Sequence, residues 1–87
     1  MKVNNYVIRN LDILDYAISR AFKDRFILRL SKNKMIYLYD TDECGRDRLV
    51  KSKSELVDIL QCGNLMEFTY PKDKNVMKNV LKEIGVI

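Results

Sequence analysis

Phe26-Ile27-Leu28-Arg29-Leu30, then Ser31-Lys32-Asn33-Lys34, then Met35-Ile36-Tyr37-Leu38-Tyr39-Asp40, is the stretch on which the fold turns. Two runs rich in β-branched and aromatic residues flank four polar ones, the pattern of a β-hairpin. Side chains alternate across a strand, so Phe26, Leu28 and Leu30 share one face, and Ile27 and Arg29 the other. On the return strand Met35, Tyr37 and Tyr39 stand opposite Ile36 and Leu38. Both faces are partly apolar, which suits a central strand better than an edge.

Upstream, the short apolar run within Asn5 to Arg9 reads as a first strand. Asn10 then occupies an N-cap position, and Leu14, Ala17, Ile18, Ala21 and Phe22 recur at helical spacing. Asp12 and Asp15 near the start and Lys23 near the end suit the helix dipole. Downstream of the hairpin, Thr41 to Asp47 reads as an acidic loop and Arg48 to Lys51 as a third hairpin strand. Ser52-x-x-Glu55 is a capping box before Leu56, Val57, Ile59 and Leu60, with Gly63 as the left-handed residue that ends the helix. Leu65 to Tyr70 alternates like a strand and stops at Pro71. Val76, Met77, Val80, Leu81 and Ile84 form a last amphipathic stripe closed by Gly85.

The resulting order is β-α-β-β-(β)-α-β-α: an α+β domain with a mostly antiparallel sheet of four to five strands and three helices, its core in the order of the ferredoxin-like sandwich. The chain of 87 residues, 47% hydrophobic and 32% charged, is expected to fold as one domain over residues 1–87. No apolar run reaches the ~18 residues of a membrane span, and polar residues interrupt the N-terminus before an apolar signal core forms. A cytoplasmic protein with no membrane contact is the expectation. Two cysteines not in C-x-x-C spacing, Cys44 and Cys62, are expected as free thiols, Cys62 half-buried at a helix end.

Catalytic and metal-binding classes find little to stand on. There is no histidine, so the commonest general acid–base group and zinc ligand is missing. The three glycines are isolated, so no phosphate-cradling loop is written. Asp40-Thr41-Asp42-Glu43-Cys44-Gly45 opens like a calcium loop. It then fails at Cys44, a poor ligand for a hard cation, and at Lys51, where a bidentate glutamate is required. Cys44 has acidic residues on both sides that disfavour its thiolate. The expectation is a non-enzyme with no cofactor and no metal.

Binding is the remaining class. The formal charge is +4, from 16 basic and 12 acidic residues, which permits a nucleic-acid partner without requiring one. Arg25, Arg29, Lys32 and Lys34 gather on and around the hairpin, with Tyr37 and Tyr39 on its return strand, the mixture of cations and aromatics that holds single-stranded nucleic acid. The K/R-G-F/Y-G/A-F signature of RNA-recognition strands is absent. Lys74, Lys78 and Lys82 repeat every fourth residue along the last helix, as a solvated face or as a docking stripe for an acidic surface. Tyr37, Tyr39, Arg46 and Arg48 are the alternative anchors for a protein partner, being of the residue types that dominate interface energetics. A homodimer that buries Val86 and Ile87 is also compatible.

Met35-Ile36-Tyr37-Leu38-Tyr39-Asp40, followed by Leu49-Val50-Lys51-Ser52-Lys53-Ser54-Glu55-Leu56-Val57-Asp58-Ile59-Leu60, resembles the small accessory proteins of phages and mobile elements in low-GC bacteria. In these a β-hairpin runs into an S-x-x-E-L helix, within a composition rich in lysine, asparagine and isoleucine. Some are anti-CRISPR or other anti-defence inhibitors that bind a host protein or ribonucleoprotein effector stoichiometrically without an active site. The resemblance implies an inhibitor or modulator of a host protein. Inhibitors of this kind that mimic duplex DNA are strongly acidic, whereas this chain is basic, so duplex mimicry is the wrong mechanism for it. The rival reading is a nucleic-acid-binding module using the basic hairpin and the lysine-striped helix.

Overall fold

A computed structural model describes residues 1–43 and 46–87, with Glu43 described through its backbone. The order along the chain is α1 (Asn5–Arg9), α2 (Leu11–Ala21), β1 (Phe26–Leu30), β2 (Ile36–Glu43), β3 (Arg46–Leu49), α3 (Lys53–Cys62), two 3-10 turns (Leu65–Phe68 and Pro71–Asp73) and α4 (Lys74–Ile84). The class is α+β. Among the described residues the sheet has three antiparallel strands in the order β1-β2-β3, and four α-helices accompany it. The expected four to five strands, and with them the ferredoxin-like order, are therefore overturned.

Two expected strands are helical instead. The run Asn5–Arg9 forms α1 because Asn4 caps it, its side-chain oxygen accepting from the Val7 N–H at 3.1 Å. Val7 then turns into the core at 1% exposure. Asn10 does stand at the N-cap of α2, yet its side chain looks backwards, its Nδ2 donating to the Tyr6 carbonyl at 2.9 Å, so it braces α1 against α2. The run Leu65 to Tyr70 curls into a 3-10 turn. Glu67 N–H donates to the Asn64 carbonyl at 3.1 Å and the buried Thr69 hydroxyl to the Leu65 carbonyl at 2.8 Å. Leu65 and Phe68, three residues apart, fall on one side of such a turn and pack toward α2.

The end of α3 also differs from expectation. Gly63 is right-handed (φ −74°), and the left-handed residue is Asn64 (φ 52°), which tolerates that region better than most side chains. Gly63 is required for space: a Cβ there would meet the Phe22 ring at 2.7 Å. Cys62, expected to be half-buried, is exposed because it lies on the outer side of the last turn of α3.

Other features match the sequence pattern. Ser52 caps α3, accepting from the Glu55 N–H at 3.0 Å. Gly85 closes α4 with φ 97°, and Val86 N–H returns to the Leu81 carbonyl at 2.9 Å. That return buries Val86 at 6% exposure inside its own chain and leaves only Ile87 outside, at 61%. The third strand starts two residues earlier than expected, and the described residues of the expected acidic loop lie in strands.

The hairpin register pairs Phe26 with Asp40, Leu28 with Leu38, and Leu30 with Ile36. This face of the sheet meets Leu14 and Ile18 of α2, Leu56 and Leu60 of α3, and Met77, Val80 and Leu81 of α4 in one apolar cluster. The helices lie on this side. The register sends Ile27, Arg29, Tyr37, Tyr39 and Leu49 to the other.

Candidate interaction surfaces

Strand alternation makes the outer sheet face. Arg29 pairs directly with Tyr37, Ile27 with Tyr39, and Tyr39 with Leu49. A transverse row Ile27–Tyr39–Leu49 thus crosses all three strands, with the Arg29–Tyr37 pair beside it. Directly opposed side chains sit about 5 Å apart at Cβ, close enough for contact along each row. All are partly exposed except Arg29, which is exposed. At one end, Tyr37 and Leu49 line a concavity of about 240 Å³ together with Lys51 and Lys53. At the hairpin turn, exposed Lys32 and Lys34 complete a basic rim, Lys34 in the left-handed region (φ 61°) that the turn demands.

Of the expected binding residues, Arg29, Lys32, Lys34, Tyr37 and Tyr39 come together on this face and its rim. Arg46 is exposed at the start of β3. Arg48 belongs elsewhere. It pairs with Asp40, whose side chain points to the core side of the sheet. Lys74, Lys78 and Lys82 are exposed on α4, which packs against α1, α2 and the 3-10 turns. The lysine stripe and the basic hairpin therefore rest on different elements.

Asp40 anchors a charged clasp that sequence spacing did not reveal. It is 1% exposed. Arg25 donates to it through both Nε and Nη2 at 2.9 Å, and the Asp42 N–H adds a third bond at 3.0 Å. Arg48 lies 3.9 Å from the same carboxylate and 2.7 Å from Glu55. The bidentate hydrogen bond from Arg25 holds the Asp40 carboxyl down at about 2, against the opposing pull of burial. This chain of charges ties the residue just before β1 to β2, β3 and α3. It also means that Asp40, the first residue of the calcium-like stretch, already has cationic partners. Cys44 and Gly45 of that stretch lie outside the described residues, and no metal-holding cluster occurs among the rest.

A second aromatic group was invisible in the sequence. Tyr16 and Tyr70 stack at 5.0 Å with 15° between their planes, and their hydroxyls lie 2.9 Å apart. Arg20 donates to the Tyr16 hydroxyl at 2.8 Å and lies over its ring. The hydrogen bonds with Tyr70 and Arg20 lower the Tyr16 pKa, and the bond with Tyr16 raises that of Tyr70. The i, i+4 spacing of Tyr16 and Arg20 on α2 is the one local signal for this group. Nothing in the sequence points to Tyr70, because the segment carrying it read as a strand.

Among the described residues no helix is long and apolar enough to cross a membrane. Searches for similar proteins return no matching family model, curated protein or solved structure.

Proposed function

We propose that this chain is a small non-enzymatic binding protein that attaches to a protein partner through the open face of its sheet. The observation that carries the reading is the row Ile27–Tyr39–Leu49 beside the Arg29–Tyr37 pair, on the face turned away from the core. Tyrosine and arginine set among aliphatic side chains are the types that concentrate binding energy in interfaces. The basic rim of Lys32, Lys34, Lys51 and Lys53 selects a partner surface that is acidic at its edge. Stoichiometric binding of this kind is how an inhibitor or modulator of the anti-CRISPR type works, in the cytoplasm of the host cell. The exposed thiol of Cys62 suits that reducing compartment.

A second reading rests on the same Arg29–Tyr37 pair. An arginine beside a partly exposed aromatic also fits a single-stranded nucleic acid, the ring stacking on a base and the guanidinium on phosphate. The two readings separate by experiment. Affinity capture from nuclease-treated bacterial lysate is expected to recover one stoichiometric protein. Gel-shift titration with single-stranded oligonucleotides is expected to give only weak binding. Tight oligonucleotide binding that falls steeply with salt would overturn the protein-partner reading.

A further inference from the structure

The two edges of the sheet are built differently. β3 is short, reads Arg46-Asp47-Arg48-Leu49, and pairs with β2 through an irregular register between Asp40 and Glu43. Charge, brevity and irregularity are the usual means of blunting an edge against further pairing. β1 has almost none of these. Phe26-Ile27-Leu28-Arg29-Leu30 pairs regularly along all five residues, is apolar on both faces, and carries a single charge. It is composed like a central strand, yet in the order β1-β2-β3 it has, among the described residues, a neighbour on one side only.

The ladder shows which groups face outward. Thr41 N–H bonds to the Arg25 carbonyl at 2.9 Å and Ser31 N–H to the Met35 carbonyl at 2.8 Å. Hydrogen-bonded pairs alternate in an antiparallel ladder, so Ile27 and Arg29 bond to β2 while Leu28 and Leu30 turn their N–H and C=O to the open edge. The Leu28 carbonyl takes a 3.3 Å hydrogen bond from the Arg29 guanidinium, a long contact that an incoming N–H can replace. Beside this edge runs a groove of about 180 Å³, lined by Leu28 and, from α2, by Leu11, Asp12 and Asp15.

We propose that the β1 edge accepts an extended segment of a partner protein as a fourth strand, with lysine or arginine at the positions that face the groove. The residue opposite Leu28 points to the same side as Leu28, into the groove. A lysine there lays its aliphatic stem on Leu11 and Leu28 and brings its ammonium to Asp12 and Asp15. Alternate residues fall on the outer face beside Ile27, where aliphatic side chains fit. Main-chain pairing supplies affinity and the groove supplies selection, as in other strand-addition interfaces. A second copy of this chain is the poorer occupant, because β1 paired with β1 brings the Asp12 and Asp15 walls of both copies to one seam. This inference uses the edge and the groove, and stands apart from the reading of the outer face.

The test is a titration of the isotope-labelled full chain with a short capped peptide alternating valine and lysine, followed by amide NMR and hydrogen exchange. The expected result is saturable shifts and added protection at the Leu28 and Leu30 amides, with at least tenfold weaker binding of the valine–glutamate counterpart. Asp12→Asn with Asp15→Asn is expected to abolish that preference. Leu30→Pro blocks an outward N–H without removing a ladder bond and is expected to abolish binding; unchanged spectra away from β1 show that it still folds. No binding, equal binding of both peptides, or shifts mapping away from β1 overturns the proposal. A concentration-dependent dimer protected at the same amides overturns the choice of occupant.

Discussion

Arg29 stands directly across the β1–β2 ladder from Tyr37, on the sheet face that the helices leave uncovered. A cation and an aromatic ring so placed can both serve a partner, since neither is used by the core. The same two strands contribute Phe26, Leu28, Ile36 and Leu38 to the core from their other face. One hairpin thus supplies both stability and a surface, and its register separates the two roles. A one-residue slip would exchange them.

That separation predicts how substitutions divide. Tyr37→Ala with Tyr39→Ala removes half-exposed side chains outside the core. The expected loss of stability is modest, about 1 kcal/mol per site, measured by urea unfolding. Leu38→Ala, at 0% exposure in the same strand, is expected to cost about 3 kcal/mol. Equal losses at the two kinds of site would place the tyrosines in a packed environment.

The Asp40 clasp predicts a second stability effect. Asp40→Asn leaves Arg25 and Arg48 facing a neutral amide in a position that is 1% exposed. Breaking a buried pair costs several kcal/mol, but Arg25 is 46% exposed at its side chain. The expected loss is therefore about 2 kcal/mol, read from the urea midpoint.

Acid unfolding follows from the same group. The Asp40 carboxyl titrates at about 2 in the fold, below its ordinary value of 3.8. A depressed carboxyl pKa adds stability that is complete above the unfolded value and disappears as the pH falls through the folded one. Stability is expected to decline from about pH 4 to about pH 2, and less steeply in Asp40→Asn. Identical slopes in that window would remove Asp40 from the account.

Gly63 predicts a steric effect at the end of α3. Gly63→Ala would place a methyl group 2.7 Å from the Phe22 ring, an overpacking expected to lower stability by about 1–3 kcal/mol. Phe22→Leu in the same chain should recover part of that loss, because it removes the atoms in conflict. Thermal unfolding of the single and double variants measures the coupling.

The pattern of what was readable has physical causes. The hairpin, α2, α3 and α4 announce themselves through alternation, periodicity, and the Ser52 and Gly85 caps. Asn5–Arg9 and Leu65–Phe68 do not, because segments of one turn carry too little periodicity to tell a strand from a helix. In the first, the cap at Asn4 was the available signal. In the second, the helical path depends on Asn64 turning the chain and on Thr69 bonding back to Leu65. Arg29, Tyr37 and Tyr39 were legible as one surface because they belong to one hairpin. The position of Arg48 was not, since it depends on the β2–β3 register that sets it opposite Asp40. The Tyr16–Tyr70 stack joins residues far apart in the chain and has no local signature.

The most direct test of the central claim is affinity capture from nuclease-treated bacterial lysate with three baits: the wild-type chain, Tyr37→Ala/Tyr39→Ala, and Lys74→Glu/Lys78→Glu/Lys82→Glu. The account predicts one stoichiometric protein on the wild type and on the α4 variant, lost from the tyrosine variant, whose two truncations should each weaken binding by about 2 kcal/mol. Equal recovery by the tyrosine variant, or loss confined to the α4 variant, would contradict it.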